Sequence, residues 1–526
     1  MSNPWWHDLV LYQIYPRSYQ DSNGDGIGDL NGITSRLDHL QWLGVNGIWL
    51  SPTMPSPNHD WGYDVSDYDG VHPDLGTPAD MDRLIAEAKA RGISILLDLV
   101  PNHTSDEHPW FLDAKSSPSS RYRDWYVWAD PKPDGGPPNN WIDATGRSAW
   151  TLDEASGQCY LHNFLPEQPD LNWWNPEVRD EFDRILRRWY DRGIAGFRVD
   201  VANAIVKDRE LRDEPPAGPG SSPGERRTGR RHVYSRNRPE VHDVHARWRR
   251  LGDAYDPPRV LIGETVTTDI AIWAGFYGRE SEGLHLVFDF PFLLSPLQLD
   301  PLVRAVEGSL AALPEASWAS WVASNHDNSR FPTRWAAGDE RRARLALLLL
   351  LTTRGAPTLY YGDEIAMQDV PIPPGQEKDG FVLPGGTHPG RDAERTPMPW
   401  EAGPGHGFTD PEAEPWLPFG TDGNNVAEQR GDAASTLHLT RDLVALRRTH
   451  PDLRQGEQRT RHRDEATWAY RRGDGTTVVV NFAGERRTVP GLEGRLALST
   501  LREREGTIVR GSLELLPAEG VVLLAE

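Results

Sequence analysis

Residues 175–203, NPEVRDEFDRILRRWYDRGIAGFRVDVAN, hold one full turn of the architecture. Asn175-Pro176 offers a capping side chain and a preset φ, which together open a helix, and Gly193 stops it. A short apolar run, Gly196–Asp200, follows and ends in charge at Arg198 and Asp200. A helix leading into a short strand with a charged C-terminal end is the repeating unit of a parallel α/β fold.

The same unit recurs outward in both directions. Leu9–Tyr15, Gly47–Leu50, Ser94–Asp98, Val260–Glu264, Leu284–Phe288, Trp318–Ser324 and Pro357–Tyr360 read as further strands, with helical patterns between them. Thr77-Pro78 opens one of those helices and Gly92 closes it. Eight such units predict a (β/α)8 barrel. Two stretches break the rhythm. Residues 103–169, rich in Trp, Pro, Gly and Asn, are too long for a plain loop and read as a small domain inserted after the third strand. After about His450 alternating strands such as Thr467–Arg472 and Thr476–Phe482 take over and read as a C-terminal β-sandwich. The expected domains are therefore 1–102 with 170–450, 103–169, and 451–526. Asp213–Asn237, rich in Pro, Gly and Arg, reads as a mobile loop after the fourth strand.

Bulk properties narrow the function. The chain has 526 residues, long enough for a large barrel with smaller units attached. Its formal net charge of −22 argues against nucleic acid and against an anionic membrane, and suits a soluble protein with a neutral substrate. Cys159 is the single cysteine, so no intramolecular disulfide can form. The N-terminal residues lack the basic, apolar and small-residue regions of a signal peptide, and a cytoplasmic location is expected. The most apolar run, Leu345–Leu351, is far below the roughly 20 residues of a membrane span.

Barrel enzymes carry catalytic groups at the C-terminal ends of their strands. Here the third strand ends in Asp98, with Asn102 and His103 beyond it. The fourth ends in Arg198 and Asp200, the fifth in Glu264, and Asn325, His326 and Asp327 follow the seventh. Carboxylates crowded on one face repel and raise one another's pKa, which destabilises the fold unless the cluster has a use. Glycoside hydrolysis needs such a set, with one carboxylate ionised and one protonated. Arg198, two residues before Asp200, faces the same way and is expected to keep Asp200 ionised. Glu264 is then the acid.

The motifs resemble the alpha-amylase family, glycoside hydrolase family 13. DLVPNH (98–103), GFRVDVAN (196–203), GETV (263–266) and NHD (325–327) match its four main regions in order. QPDLN (168–172), GYDVSDY (62–68) and RTPMPW (395–400) resemble its oligo-1,6-glucosidase and α-glucosidase branch. The resemblance covers essentially the whole chain. It implies a retaining, exo-acting enzyme that takes terminal α-linked glucose from short oligosaccharides, with Asp200 as nucleophile, Glu264 as acid/base and Asp327 as transition-state stabiliser. Arg198, His103 and His326 would surround the reacting glucose, Asp64 and Arg395 would grip its outer hydroxyls, and Tyr63 would stack on it. Val201 would line the leaving-sugar site, where valine accompanies α-1,6 cleavage, while Ala202-Asn203-Ala204 resemble α-glucosidases that also accept maltose, so α-1,6 links, α-1,4 links or both are expected as substrates. Thr145 and Pro399 depart from the family pattern in the walls of the substrate pocket. A transglycosylase or sucrose isomerase would share every catalytic residue, whereas a non-catalytic relative would have lost its carboxylates.

Asp21, Asn23, Asp25, Ile27 and Asp29 alternate with small residues, the spacing that wraps oxygen ligands around a hard cation. The segment also resembles the calcium loop of this branch, in which the Ile27 carbonyl joins the side chains. A structural calcium ion is expected, and no organic cofactor.

Overall fold

The computed structural model describes residues 4–525 apart from 220, 222, 383–389 and 422, with residues 223, 224 and 227 described by backbone only. Eight short strands form the central sheet: β1 (Leu11–Ile14), β2 (Gly47–Leu50), β3 (Ser94–Leu99), β4 (Gly196–Val199), β5 (Val260–Gly263), β6 (Leu286–Val287), β7 (Ser320–Val322) and β8 (Ala356–Tyr360). Their order is β7-β8-β1-β2-β3-β4-β5-β6, with every pair parallel. A parallel bridge between Phe288 and Ser320 joins the ends into a barrel.

Alternation along each strand splits the core in two. Leu11, Trp49, Leu96 and Ile262 pack together in the barrel interior. Their neighbours Tyr12, Ile48, Leu50, Ile95, Leu97, Phe197, Val199 and Leu261 face the helical layer. The helices begin and end where capping chemistry places them. Thr77 and Asp80 form a capping box at the start of Pro78–Ala90. Asn175 accepts from Glu177 N–H at the start of Pro176–Arg192, and Gly193 closes that helix at φ 108°. The Leu345–Leu351 run lies in helix Glu340–Thr352 and is buried throughout. No described helix is long and apolar enough to cross a membrane.

Between β3 and β4 lie helix Pro109–Ser116 and a three-stranded antiparallel sheet of Trp128–Ala129, Gln158–Leu161 and Trp150–Asp153. Trp141, Ala149, Trp150, Cys159 and Leu161 form its small core, where the single cysteine is buried. The C-terminal strands form one continuous six-stranded antiparallel sheet. Trp468, Tyr470, Val478, Val480 and Val522 on one face join the barrel's outer core. The other face has its own core. To it the long strands Arg487–Ser499 and Ile508–Leu515, irregular near Pro490 and Leu496, add Val489, Leu492, Leu496, Val509 and Leu513. The two-sided packing of a sandwich is thus reached with a single sheet.

Candidate active site

Because Phe197 and Val199 face outward, Arg198 points into the barrel. Asp98 lies beside it in register on β3. Past the last paired residues, Asp200 N–H donates to Leu99 O at 2.9 Å and Glu264 N–H to Val199 O at 3.0 Å, which fixes both strand ends. Arg198 Nη1 donates to Asp200 Oδ1 at 2.6 Å and to Asp98 Oδ1 at 2.9 Å, while Nη2 lies 2.7 Å from Glu264 Oε2. Glu264 Oε2 also accepts from Val201 N–H at 3.0 Å.

Arg198 therefore does not single out Asp200, as its place on the strand suggested. Its guanidinium spans three carboxylates, because β3, β4 and β5 all deliver one to the same depth. Burial raises the Asp200 carboxyl well above the usual range; Arg198 opposes this, and repulsion from Glu264, Asp98 and Asp327 adds to it. Burial likewise pushes Asp98 up to about 7 against the pull of Arg198. One guanidinium cannot balance three buried carboxylates, so the cluster retains a proton near neutral pH. Such a cluster can present a carboxylate and a carboxylic acid side by side.

Asp327 sits in the opposite environment. Its Oδ1 accepts from Arg395 Nη2 at 3.0 Å and Arg391 Nη1 at 3.1 Å, and His326 Nε2 lies 3.2 Å from Oδ2. Burial acts to raise this carboxyl, but His326, Arg391 and Arg395 together hold it well below the ordinary carboxylate range. Tyr63 Oη lies 2.5 Å from His326 Nε2 and donates to Asp98 Oδ2 at 3.1 Å. The Tyr63 ring stacks on His326, with centroids 5.2 Å apart and planes within 6°. Gln13 Nε2 meets the other imidazole nitrogen at 2.8 Å. Asp98, Tyr63, His326 and Asp327 thus form a continuous polar chain from one carboxylate cluster to the other.

Asp64 and Arg395 are not brought together. Asp64 accepts from Ser56 Oγ at 2.6 Å and from the N–H groups of His59 and Asp60 at 2.8 and 3.0 Å, so it ties down its own loop. Arg395 donates to His326 O at 2.7 Å besides Asp327. The pair that does reach across is Asp60 with Arg391. Arg391 Nη2 bonds Asp60 Oδ1 and Asp379 Oδ1, both at 2.6 Å, while its Nη1 reaches Asp327. Each residue of this pair stands four positions before the one that the motifs singled out, and the sequence carries no signal that would prefer one over the other.

His103 is buried behind the site. Its Nε2 lies 3.0 Å from Tyr63 O and from Gln168 Nε2, and burial lowers its pKa to about 4, so it is neutral. Gln168 in turn donates to Asp60 Oδ2 at 3.0 Å. Beside it Lys207 Nζ meets Asp170 Oδ2 at 2.8 Å and Asn102 Oδ1 at 2.5 Å. Sequence reading passed over Lys207, which lies outside the quoted motifs. Val201 is buried at φ 36°. Thr145 turns its hydroxyl onto Asp143 at 2.7 Å.

In the loop of Asp21, Asn23, Asp25, Ile27 and Asp29, side-chain oxygens accept the loop's own N–H groups. Asp21 accepts from Asn23, Gly24 and Gly26, Asn23 from Asp25, and Asp25 from Ile27, all at 2.9–3.0 Å. Asp29 closes the loop by accepting from Ser22 N–H at 2.8 Å and also caps the next helix through Gly32 N–H at 2.8 Å. Gly26 takes φ 83°, and a Cβ there would lie 1.9 Å from Glu414 O. Among the described residues no three Asp, Glu, His or Cys side chains gather as metal ligands. Asn23 Oδ1 and both Asp25 oxygens each accept one bond and keep a lone pair that suits a calcium ion, whereas both oxygens of Asp21 are taken up by Asn23, Gly24, Gly26 and Thr409.

The catalytic-domain model of alpha-amylase matches residues 13–456. A probable alpha-glucosidase of Rhizobium meliloti is 43% identical over 473 residues, 86% of this chain and 84% of that protein. An oligo-1,6-glucosidase of Halalkalibacterium halodurans is 37% identical, covering 92% of this chain and 91% of its own. Among solved structures, an alpha-glucosyl transfer enzyme superposes with a TM-score of 0.92 at 36% identity over 100% of both chains. A trehalulose synthase follows with a TM-score of 0.89 at 32% identity, over 99% of this chain and 100% of that one. With a closed eight-stranded barrel and three carboxylates gathered at its strand ends, the chain belongs to the alpha-amylase family of glycoside hydrolases.

Proposed function

We propose that the protein is a retaining, exo-acting α-glucosidase that removes terminal α-linked glucose from short oligosaccharides. The observation that carries this reading is the Arg198 fork, which holds Asp200 and Glu264 on its two terminal nitrogens. A shared guanidinium suits the roughly 5–5.5 Å carboxyl separation of retaining enzymes better than the wider gap of inverting ones. In this reading Asp200 attacks the anomeric carbon. Glu264 gives its proton to the leaving oxygen and then takes one from water, while Asp327, held ionised by two arginines, supports the positive charge that develops on the sugar ring.

The exo character rests on Asp60 and Arg391 rather than on Asp64 and Arg395. Asp60, Arg391, Asp379 and Asp327 are a connected charged cluster beside the reacting groups, and polar groups of that density fit the outer hydroxyls of a terminal glucose. The calcium reading of the Asp21–Asp29 loop is retained as part of this proposal, with a role in stability. The test is product analysis by NMR on maltose, isomaltose, sucrose and trehalose. The α-anomer of glucose appearing first supports the proposal and the β-anomer overturns it. Asp200→Asn and Glu264→Gln should each lower kcat by at least about a thousandfold. A second reading, glucosyl transfer or sucrose isomerisation, is favoured by the full-length likeness to the transfer enzyme and the trehalulose synthase. Isomerised sucrose or lengthened oligosaccharides in the same assay would select it.

A further inference from the structure

The arginine-rich segment after β4 is tied down at two neighbouring points. The Glu214 carboxylate accepts N–H bonds from Val233, Tyr234 and Ser235 at 2.7–2.9 Å, and the Ser235 hydroxyl at 2.9 Å. Asn237 N–H donates to Asn203 O at 2.7 Å, and Asn203 Nδ2 returns a bond to Asn237 Oδ1 at 2.9 Å. Asn203 stands three residues past Asp200. Arg236 lies between these two anchors, half-buried, and its place is fixed from both sides.

Asn203 follows Ala202, whose N–H bonds Glu264 O at 2.8 Å, so the Asn237 anchor sets Arg236 beside the Glu264 strand end, where the carboxylates of Asp170, Glu264 and Glu214 attract it and Lys207 repels it. All three carboxylates are already engaged, Asp170 by Lys207, Glu264 by Arg198 and Val201, and Glu214 by the loop amides. Among the described residues Arg236 makes no hydrogen bond or ion pair of its own. A guanidinium carries five N–H donors, and in this half-buried place they stay open to an incoming acceptor. The clamp carboxylates Asp60, Asp379 and Asp327 answer to Arg391 and Arg395 instead. Arg236 is therefore on the Glu264 side of the reacting centre, where the acid meets the leaving group.

We infer that Arg236 is a specificity-determining residue which donates hydrogen bonds to the hydroxyls of the leaving sugar, and so selects sugar leaving groups over aryl ones. The inference rests on the reading of Glu264 as the acid. A sugar leaving group presents oxygen acceptors to the waiting donors. A nitrophenolate is a good leaving group that needs neither those bonds nor full protonation.

The test compares full-length Arg236→Ala and Arg236→Lys with the wild type on maltose, isomaltose and p-nitrophenyl α-glucoside, with thermal melting as a check of folding. Arg236→Ala should lower kcat/KM for the disaccharides about tenfold or more, the loss of a charged hydrogen bond. It should change the aryl substrate less than about threefold. Arg236→Lys, which keeps charge but loses the planar fork, should recover only part of the loss. It carries the same split if the alanine variant does not fold. Parallel loss on all substrates, or no loss on any, overturns the inference. So does a shift of the basic limb of the pH profile shared by both substrate classes, which would mean that Arg236 acts only by tuning Glu264. If the wild type cleaves the aryl glucoside but Glu264→Gln leaves that rate and the disaccharide rates intact, the assignment of the acid fails instead, and the inference falls with it.

Discussion

Val201 donates its N–H to Glu264 Oε2 at 3.0 Å from a backbone turned to φ 36°. A β-branched residue is rarely found at positive φ, since its branched Cβ crowds the backbone there. The surrounding contacts impose it: Asp200 N–H is held by Leu99 O, and Ala202 N–H by Glu264 O at 2.8 Å. The turn that follows β4 thus aims an amide at the acid and presents the Val201 side chain beside it.

That placement makes Val201 a measurable determinant of linkage. Val201→Thr keeps the branch at Cβ, and therefore the backbone, while exchanging a methyl for a hydroxyl. One such exchange in an apolar wall changes discrimination by about 1–3 kcal/mol at most. The ratio of kcat/KM for isomaltose over maltose should fall at least about threefold in the variant. An unchanged ratio would move the determinant away from this residue.

Glu394 gives a pH dependence with a definite sign. Its carboxyl is buried, and burial, with Asp369 repelling it and Arg395 opposing, pushes its pKa up to about 8. A raised folded-state value contributes stability that is complete below the unfolded pKa and is lost as pH rises through the folded one. The wild type should lose that contribution between about pH 4 and pH 8. Glu394→Gln removes the ionisation, so its melting temperature relative to wild type should rise from pH 5 to pH 8. A constant difference between the two proteins across that range would show that Glu394 titrates normally.

Much of this was legible in the sequence, and the gaps have physical causes. Strands β2, β3, β4, β5 and β8 were readable to within about a residue because buried parallel strands are continuous apolar runs between helix-stopping glycines and charged ends. The carboxylates were readable because they sit at those ends. Arg198's sharing among three partners was not, since β3 and β5 enter its surroundings only through register. Neither was the pairing of Arg391 with Asp60, because in a loop the direction of a side chain depends on which residue satisfies the local N–H groups. The single C-terminal sheet was hidden for a similar reason: alternation reports that a strand has two faces but not whether those faces belong to one sheet or two.

The Asp21–Asp29 loop separates two accounts of itself. Held by its own N–H bonds alone, it needs no cation. With calcium bound, the spare lone pairs of Asn23, Asp25 and the Ile27 carbonyl would add to its stability by linkage. Dialysis against a chelator should then lower the melting temperature by several degrees, restored by calcium at millimolar concentration, while activity at ambient temperature changes little. Asp25→Ala should abolish the response to calcium. A melting temperature indifferent to chelator would leave Asp29 simply as a helix cap and Asp21 as a turn.

The two aspartates near Tyr63 allow the clamp to be assigned by a split between binding and folding. Asp60 Oδ1 meets Arg391 and its Oδ2 meets Gln168, and burial pushes its pKa up to about 6, with Arg391 and Arg395 opposing. Asp64 is fully buried against Ser56 and two amides of its own loop. Asp60→Asn should therefore weaken the grip on terminal glucose, raising KM for maltose about tenfold, with a modest change in melting temperature. Asp64→Asn replaces a charged acceptor of two N–H groups with an amide that satisfies them poorly, so it should lower the melting temperature and leave KM within about threefold. Glucose inhibition constants provide the independent check, because they report the same subsite without chemistry. If Asp64→Asn weakens glucose binding and Asp60→Asn does not, the clamp lies at Asp64, as the family resemblance implies, and the Asp60–Arg391 pair is a structural strut of the loop.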